Sequence, residues 1–155
     1  MLAPFVDAPW LSAHFDEVVV CDVRWYLDGR SGRAAYDGGH LPGASWVDLE
    51  TDLSAAPGDA GRHPFPTPEA FAEAMGALGI GDSDTVVAYD DDGGAVAARL
   101  VWMLRATGHD ATLLDGGIGA WPGPLSTEPA MREPTSFTVT PWPAEQMVDL
   151  SLIHI

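Results

Sequence analysis

Short β-branched runs alternate along this chain with longer stretches whose apolar residues recur every three or four positions. Val18-Val19-Val20-Cys21 and Thr85-Val86-Val87-Ala88-Tyr89 are continuous apolar runs, the length and type of strands covered on both faces. Ala111 to Leu114 is a weaker third, and a further short strand is expected around Ser45-Trp46-Val47. From Pro68 to Leu78, Phe71, Met75 and Leu78 fall at helical spacing, with Thr67 placed to cap the helix and Pro68 in its first turn. Ala95 to Thr107 predicts the clearest helix, with Val96, Leu100, Met103 and Leu104 on one side and Gly108 as its stop. Strands alternating with helices of this length predict an α/β domain built on a central parallel sheet flanked by helices. In such a sheet, ligands bind beyond the carboxyl ends of the strands.

The pattern fades after residue 121. Pro122, Pro124, Pro129, Pro134, Pro141 and Pro143 fall within 22 residues that carry little periodic apolar signal, the composition of a linker or an extended arm. The expected organisation is one domain over 1–124, a proline-rich linker over 125–144 and a tail over 145–155. In that tail Ser151 to Ile155 is treated as foreign to the natural sequence. A length of 155 residues at 46% hydrophobic composition supports one sizeable core.

Charge narrows the functions available. The net charge is −16, with seven arginines and no lysine, so the field repels DNA, RNA and anionic membranes. An anionic substrate would therefore need a local cluster of arginines or backbone amides. A single cysteine, no secretory leader pattern and no apolar run near 20 residues predict a cytoplasmic protein without a membrane span.

The loop Tyr89-Asp90-Asp91-Asp92-Gly93-Gly94 lies between the second strand and the helix from Ala95, at the carboxyl edge where a site belongs. Asp91 or Asp92 is placed to cap that helix. The same strand and loop resemble the Asp-x-Asp-Gly motif of haloacid-dehalogenase-type phosphatases, which would make Asp90 a nucleophile beside Mg²⁺. Three departures weigh against that reading: the motif lies mid-chain, Gly94 stands where Thr or Val is expected, and there is no lysine for a phosphate. Cys21 ends an apolar strand and lacks the arginine six residues on that a cysteine phosphatase needs; position 27 is Leu27. It reads as a buried, inert thiol.

Tyr36 to Val47 runs YDGGHLPGASWV, and the spacing of Tyr36, His40, Leu41, Pro42, Gly43, Ala44 and Val47 resembles the N-terminal signature of rhodanese domains. Pro42 and Gly43 favour a tight turn into the following strand, with His40 bonded to backbone. Asp22 to Trp25, Gly61 to Pro64, Val87 to Asp90, Ala98 to Trp102, Gly108-His109 and Leu114 through Trp121 extend the resemblance over roughly residues 18 to 121.

The resemblance implies a rhodanese-like three-layer fold and no metal or cofactor. It implies in particular the first, non-catalytic domain of a tandem thiosulfate or 3-mercaptopyruvate sulfurtransferase. In that arrangement Asp90 stands where a catalytic domain has its cysteine, and the covalently linked second domain, absent here, supplies the thiolate that takes sulfur from a small donor. Asp52 and His63 are then similar to the Asp and His that the first domain contributes, with His63 moving a proton and Asp52 orienting it. The chain alone is expected to be inactive. A stand-alone binding module remains the rival, separable by whether Trp25, Trp46, Trp102 and Trp121 leave an apolar patch exposed.

Overall fold

The structure, a computed structural model, describes residues 1–148 and 151. Of the tail singled out above, 149, 150 and 152–155 lie outside the described residues. Nine elements follow in chain order: β1 (Phe5–Val6), α1 (Ala8–His14), β2 (Val19–Asp22), α2 (Gly32–Gly38), β3 (Ser45–Trp46), α3 (Pro68–Ala77), β4 (Thr85–Tyr89), α4 (Ala97–Ala106) and β5 (Asp110–Leu114). The five strands form one all-parallel sheet in the order β1-β5-β4-β2-β3, with Val19 to Asp22 opposite Val86 to Tyr89 at its centre.

Alternation along the strands divides the core in two, as the two-residue period of a pleated strand requires. Val19, Cys21, Val86, Ala88, Ala111 and Leu113 face the α3 and α4 layer, where Phe71, Met75, Leu100, Met103 and Leu104 cover them. Val20, Val87, Tyr89 and Leu114 face the other layer, against Val6, Leu11, Leu41 and Ala44. Thr67 caps α3 through the Ala70 N–H, as expected. Helix α4 begins at Ala97, two residues later than the periodicity suggests, because Gly93 and Gly94 hold consecutive left-handed conformations first.

The signature stretch locks the end of the sheet. Tyr89 donates its hydroxyl proton to Asp22 (2.7 Å), Asp22 pairs with Arg24 (2.6 Å), and the Tyr89 oxygen accepts the Leu41 N–H (3.0 Å). Gly43 turns at φ +72°, and Tyr36 reaches across to donate to the Ala44 carbonyl (2.7 Å). His40 is fully buried and stacks on Tyr36. Its two ring nitrogens lie 2.7 Å from the Tyr36 and Glu128 carbonyl oxygens, which can only accept.

The proline-rich stretch has no strand or long helix, yet it is fastened to the domain along most of its length. Ser126 exchanges two backbone hydrogen bonds with His40, and the Ala130 N–H donates to Tyr36. Arg132 donates to the Gly79 carbonyl, the Thr135 N–H to that of Gly76, and the Trp142 indole to that of Pro66. Two glycines make room: a Cβ on Gly76 would sit 2.5 Å from the Thr135 carbonyl oxygen, and one on Gly79 2.7 Å from that of Glu133. Phe137 then enters the core beside Phe71 and stacks on His109 at 4.2 Å.

Phe137→Ala is expected to lower the unfolding free energy by about 3 kcal/mol, measured by urea denaturation. Acid should release the same strap by another route. Thr138 and His109 hold the Asp82 carboxyl down to about 2, so its contribution is complete above the ordinary range near 3.8 and is lost as the pH falls toward 2. The Thr138 amide resonance, followed by NMR, should move through that window in the natural chain and stay still in Asp82→Asn.

Candidate active-site face

At the carboxyl end of β4 the chain turns around a single buried carboxylate. Asp90 is 1% exposed, and four backbone N–H groups point at its oxygens. Oδ1 accepts from Asp92 (2.9 Å) and Gly94 (2.8 Å), while Oδ2 accepts from Val96 (2.9 Å) and Ala97 (2.8 Å). The left-handed Gly93 and Gly94 let the backbone curl inward, and the last two donors are the amides that open α4, where the helix dipole favours negative charge. The Asp90 carbonyl is pinned in turn by the Ile118 N–H (3.0 Å), against Gly117, where any Cβ would strike it.

Asp90 therefore caps α4, and neither Asp91 nor Asp92 does. The Asp91 carboxylate instead accepts the Tyr26 hydroxyl (2.6 Å), tying the Trp25 to Arg30 loop to the Asp90 loop. Chemically the cradle is an anion site that already holds its anion. A carboxylate saturated by four amides cannot carry a sulfur atom, and its oxygens are taken up by backbone N–H groups. Cys21 is no substitute, since burial pushes its thiol up to about 12 and closes it off from solvent.

A second cluster lies on the loops at the same end of the sheet. The Trp25 indole donates to Glu50 (3.3 Å), whose carboxylate lies 3.8 Å from His63 Nε2. Trp25 also meets the His63 ring edge-on at 5.1 Å and carries the Arg62 guanidinium over its face at 5.4 Å. Among the described residues His63 Nε2 is shielded from water and has no hydrogen-bond partner. Asp52 is elsewhere engaged: it accepts the Asp48 N–H (2.8 Å) and the Thr51 hydroxyl (3.4 Å), and no hydrogen bond or ion pair joins it to His63. Burial raises its carboxyl above the usual range.

Residues 7–123 match the rhodanese-like domain. The chain belongs to the rhodanese family. Among curated rhodanese relatives it is 42% identical over 126 residues to a Pseudomonas aeruginosa protein named "Probable 3-mercaptopyruvate sulfurtransferase", covering 77% of this chain and 44% of that one. It is 40% identical over 125 residues to the human 3-mercaptopyruvate sulfurtransferase, covering 75% and 41%. A crystal structure from Escherichia coli, described as a 3-mercaptopyruvate sulfotransferase, matches with a TM-score of 0.79 at 30% identity, covering 92% of this chain and 58% of that one. The chain thus spans less than half the length of the curated relatives it matches. The phosphatase reading falls, because the strand and loop that suggested it belong to a rhodanese fold and Asp90 serves its own backbone. No helix among the described residues is long and apolar enough to cross a membrane.

The sequence suggests pairing His63 with Asp52; the structure instead sets Glu50 beside His63, with Arg62, which the sequence did not single out, over the face of Trp25. Asp48, Glu50 and Asp52 alternate in the sequence, and only the turn closed by the reciprocal Asp48 and Asp52 bonds decides which of them faces His63.

Removing the Asp90 carboxylate strands four amides, so Asp90→Ala is expected to cost about 3 kcal/mol in denaturant unfolding. Asp90→Cys places a thiol in the same cradle. The thiolate absorbance of this variant at about 240 nm should titrate below the ordinary thiol range, and the natural chain, with Cys21 alone, should show no such transition.

Proposed function

We propose that this chain is the non-catalytic first domain of a tandem sulfurtransferase that moves sulfane sulfur from thiosulfate or 3-mercaptopyruvate to a thiophilic acceptor. The observation that carries this reading is the Asp90 carboxylate in the amide cradle, in the place where a rhodanese nucleophile would hold its persulfide. The greater length of the relatives supports a second, covalently linked domain that supplies the cysteine thiolate. On this reading residues 1–124 form the domain and 125–144 lead to its partner.

In the reaction the partner's thiolate attacks the sulfane sulfur of thiosulfate, the S–S bond breaks and sulfite leaves with the electron pair. With 3-mercaptopyruvate the C–S bond breaks instead, and the departing enolate needs a proton to become pyruvate. His63, with the Glu50 carboxylate 3.8 Å from its Nε2, is the group on this chain suited to hold that proton. Asp52 acts through the turn that presents Glu50.

An anionic donor also needs relief from a net charge of −16. Four of the seven arginines, Arg24, Arg30, Arg33 and Arg62, line a single cleft of about 260 Å³ next to this cluster. Arg99, Arg105 and Arg132 are held elsewhere by backbone carbonyls and, for Arg132, by Asp84, while Arg24, Arg30 and Arg33 each pair with an aspartate; among the described residues Arg62 is the one arginine that meets neither a carboxylate nor a carbonyl, its contact being the Trp25 ring.

The chain alone is expected to form no thiocyanate from thiosulfate and cyanide and no pyruvate from 3-mercaptopyruvate. Turnover by the isolated chain that Asp90→Asn abolishes would overturn the proposal. In the full-length protein, His63→Ala should lower kcat for 3-mercaptopyruvate at least tenfold, while Asp52→Asn should change it far less.

A further inference from the structure

Asp52 makes no contact with His63, and one of its carboxylate oxygens is only loosely engaged, so its surroundings suggest a further use for it. Its carboxyl lines a cleft of about 410 Å³ on the outer side of the edge strand β3, a volume within the range of small-molecule sites. The walls come from four places: Arg33 and Tyr36 of α2, Ser45 and Trp46 of β3 with Asp48 and Thr51 after it, Leu78 at the end of α3, and Ala130 and Arg132 of the strap.

The polar groups in this cleft are incompletely used. Arg33 spends Nε on Asp37, leaving both terminal nitrogens without a partner among the described residues. Arg132 spends Nε and Nη2 on Gly79 and Asp84, leaving Nη1. On the acidic side, Oδ2 of Asp52 accepts the Asp48 N–H, but Oδ1 has only the long 3.4 Å contact from Thr51. Asp48 Oδ1 accepts the Glu50 N–H, and its Oδ2 has no hydrogen-bond partner among the described residues. Free guanidinium donors and free carboxylate acceptors thus share one cavity, contributed by different elements and bordered by the Trp46 indole.

We propose that this cleft binds a small zwitterion of amino-acid size, its carboxylate held by Arg33 and Arg132 and its ammonium by Asp52 and Asp48. A lone anion would leave two carboxylates facing it, and a lone cation would face two guanidinium groups; a molecule carrying both charges answers each. The half-buried Asp52 carboxyl, disfavoured as an anion by its burial, regains a counter-charge when an ammonium group arrives. The site stands apart from the proposed sulfur chemistry: it shares the Arg33, Trp46 and Asp48 wall with the arginine-lined cleft but contains neither His63 nor Arg62.

The test is an NMR titration of the ¹⁵N-labelled chain with L-methionine and L-glutamine, using propionate and n-propylamine as single-charge controls. Saturable shifts are expected at the Thr51, Asp52, Leu78 and Ala130 amides and the Trp46 indole with the amino acids, and not with either control. Arg33 is 58% exposed, so Arg33→Gln should fold normally, and Asp52→Asn keeps an oxygen for the Asp48 N–H. Each is expected to weaken binding about tenfold or more, the equivalent of about 1.4 kcal/mol. No saturation at tens of millimolar amino acid, equal shifts with propionate or n-propylamine, or unchanged affinity in both variants would each overturn the proposal. None of these results depends on sulfur transfer, so failure here leaves the sulfurtransferase reading to its own assay.

Discussion

Four backbone amides converging on one carboxylate organise the functional end of this protein. To bring the Asp92, Gly94, Val96 and Ala97 N–H groups together, the chain needs two successive left-handed glycines, a helix that starts late, and Asp90 held from behind by Ile118 and Gly117. The arrangement is costly to leave empty, because buried amides without acceptors lose far more than a single hydrogen bond is worth. A side chain that supplies both acceptor oxygens keeps the loop in shape without any bound group. The curl of the loop and the start of α4 are thereby fixed by the chain's own side chain.

The rest of the architecture transmits that rigidity. Tyr89 ends the strand that delivers Asp90, and its hydroxyl links Asp22 with the Leu41 amide, so β2, β4 and the turn at Gly43 share one buried network. Tyr36 and His40 continue it outward to Ser126, Glu128 and Ala130. In this chain the signature motif acts through these structural contacts. It couples the sheet edge to the segment that wraps it.

Much of this was legible in the chain. The apolar runs at Val18 to Cys21 and Thr85 to Tyr89 fall on β2 and β4 within a residue, and the capping of α3 by Thr67 follows its local pattern. Other elements carry no comparable signal. β1 is two residues long, and α2, reading GRAAYDG, shows no apolar stripe. The strap is held by carbonyls and gaps rather than by a periodic face, which is why a proline-rich composition concealed a core residue such as Phe137. At the site, the position of Asp90 could be found by counting, but its role could not, since that depends on where four amides point. The choice between Glu50 and Asp52 is likewise a matter of one turn's geometry, to which spacing is blind.

The glycine at position 76 has a practical consequence. It lies inside α3, where replacement by alanine is the ordinary route to a sturdier helix. Here the missing methyl group is the seat of the Thr135 carbonyl. A thermostabilisation scheme that scores each helix in isolation would choose this substitution early and would lift the strap from the domain it was meant to strengthen. Any redesign of this fold has to treat α3 and the segment some sixty residues further along the chain as a single unit of sequence.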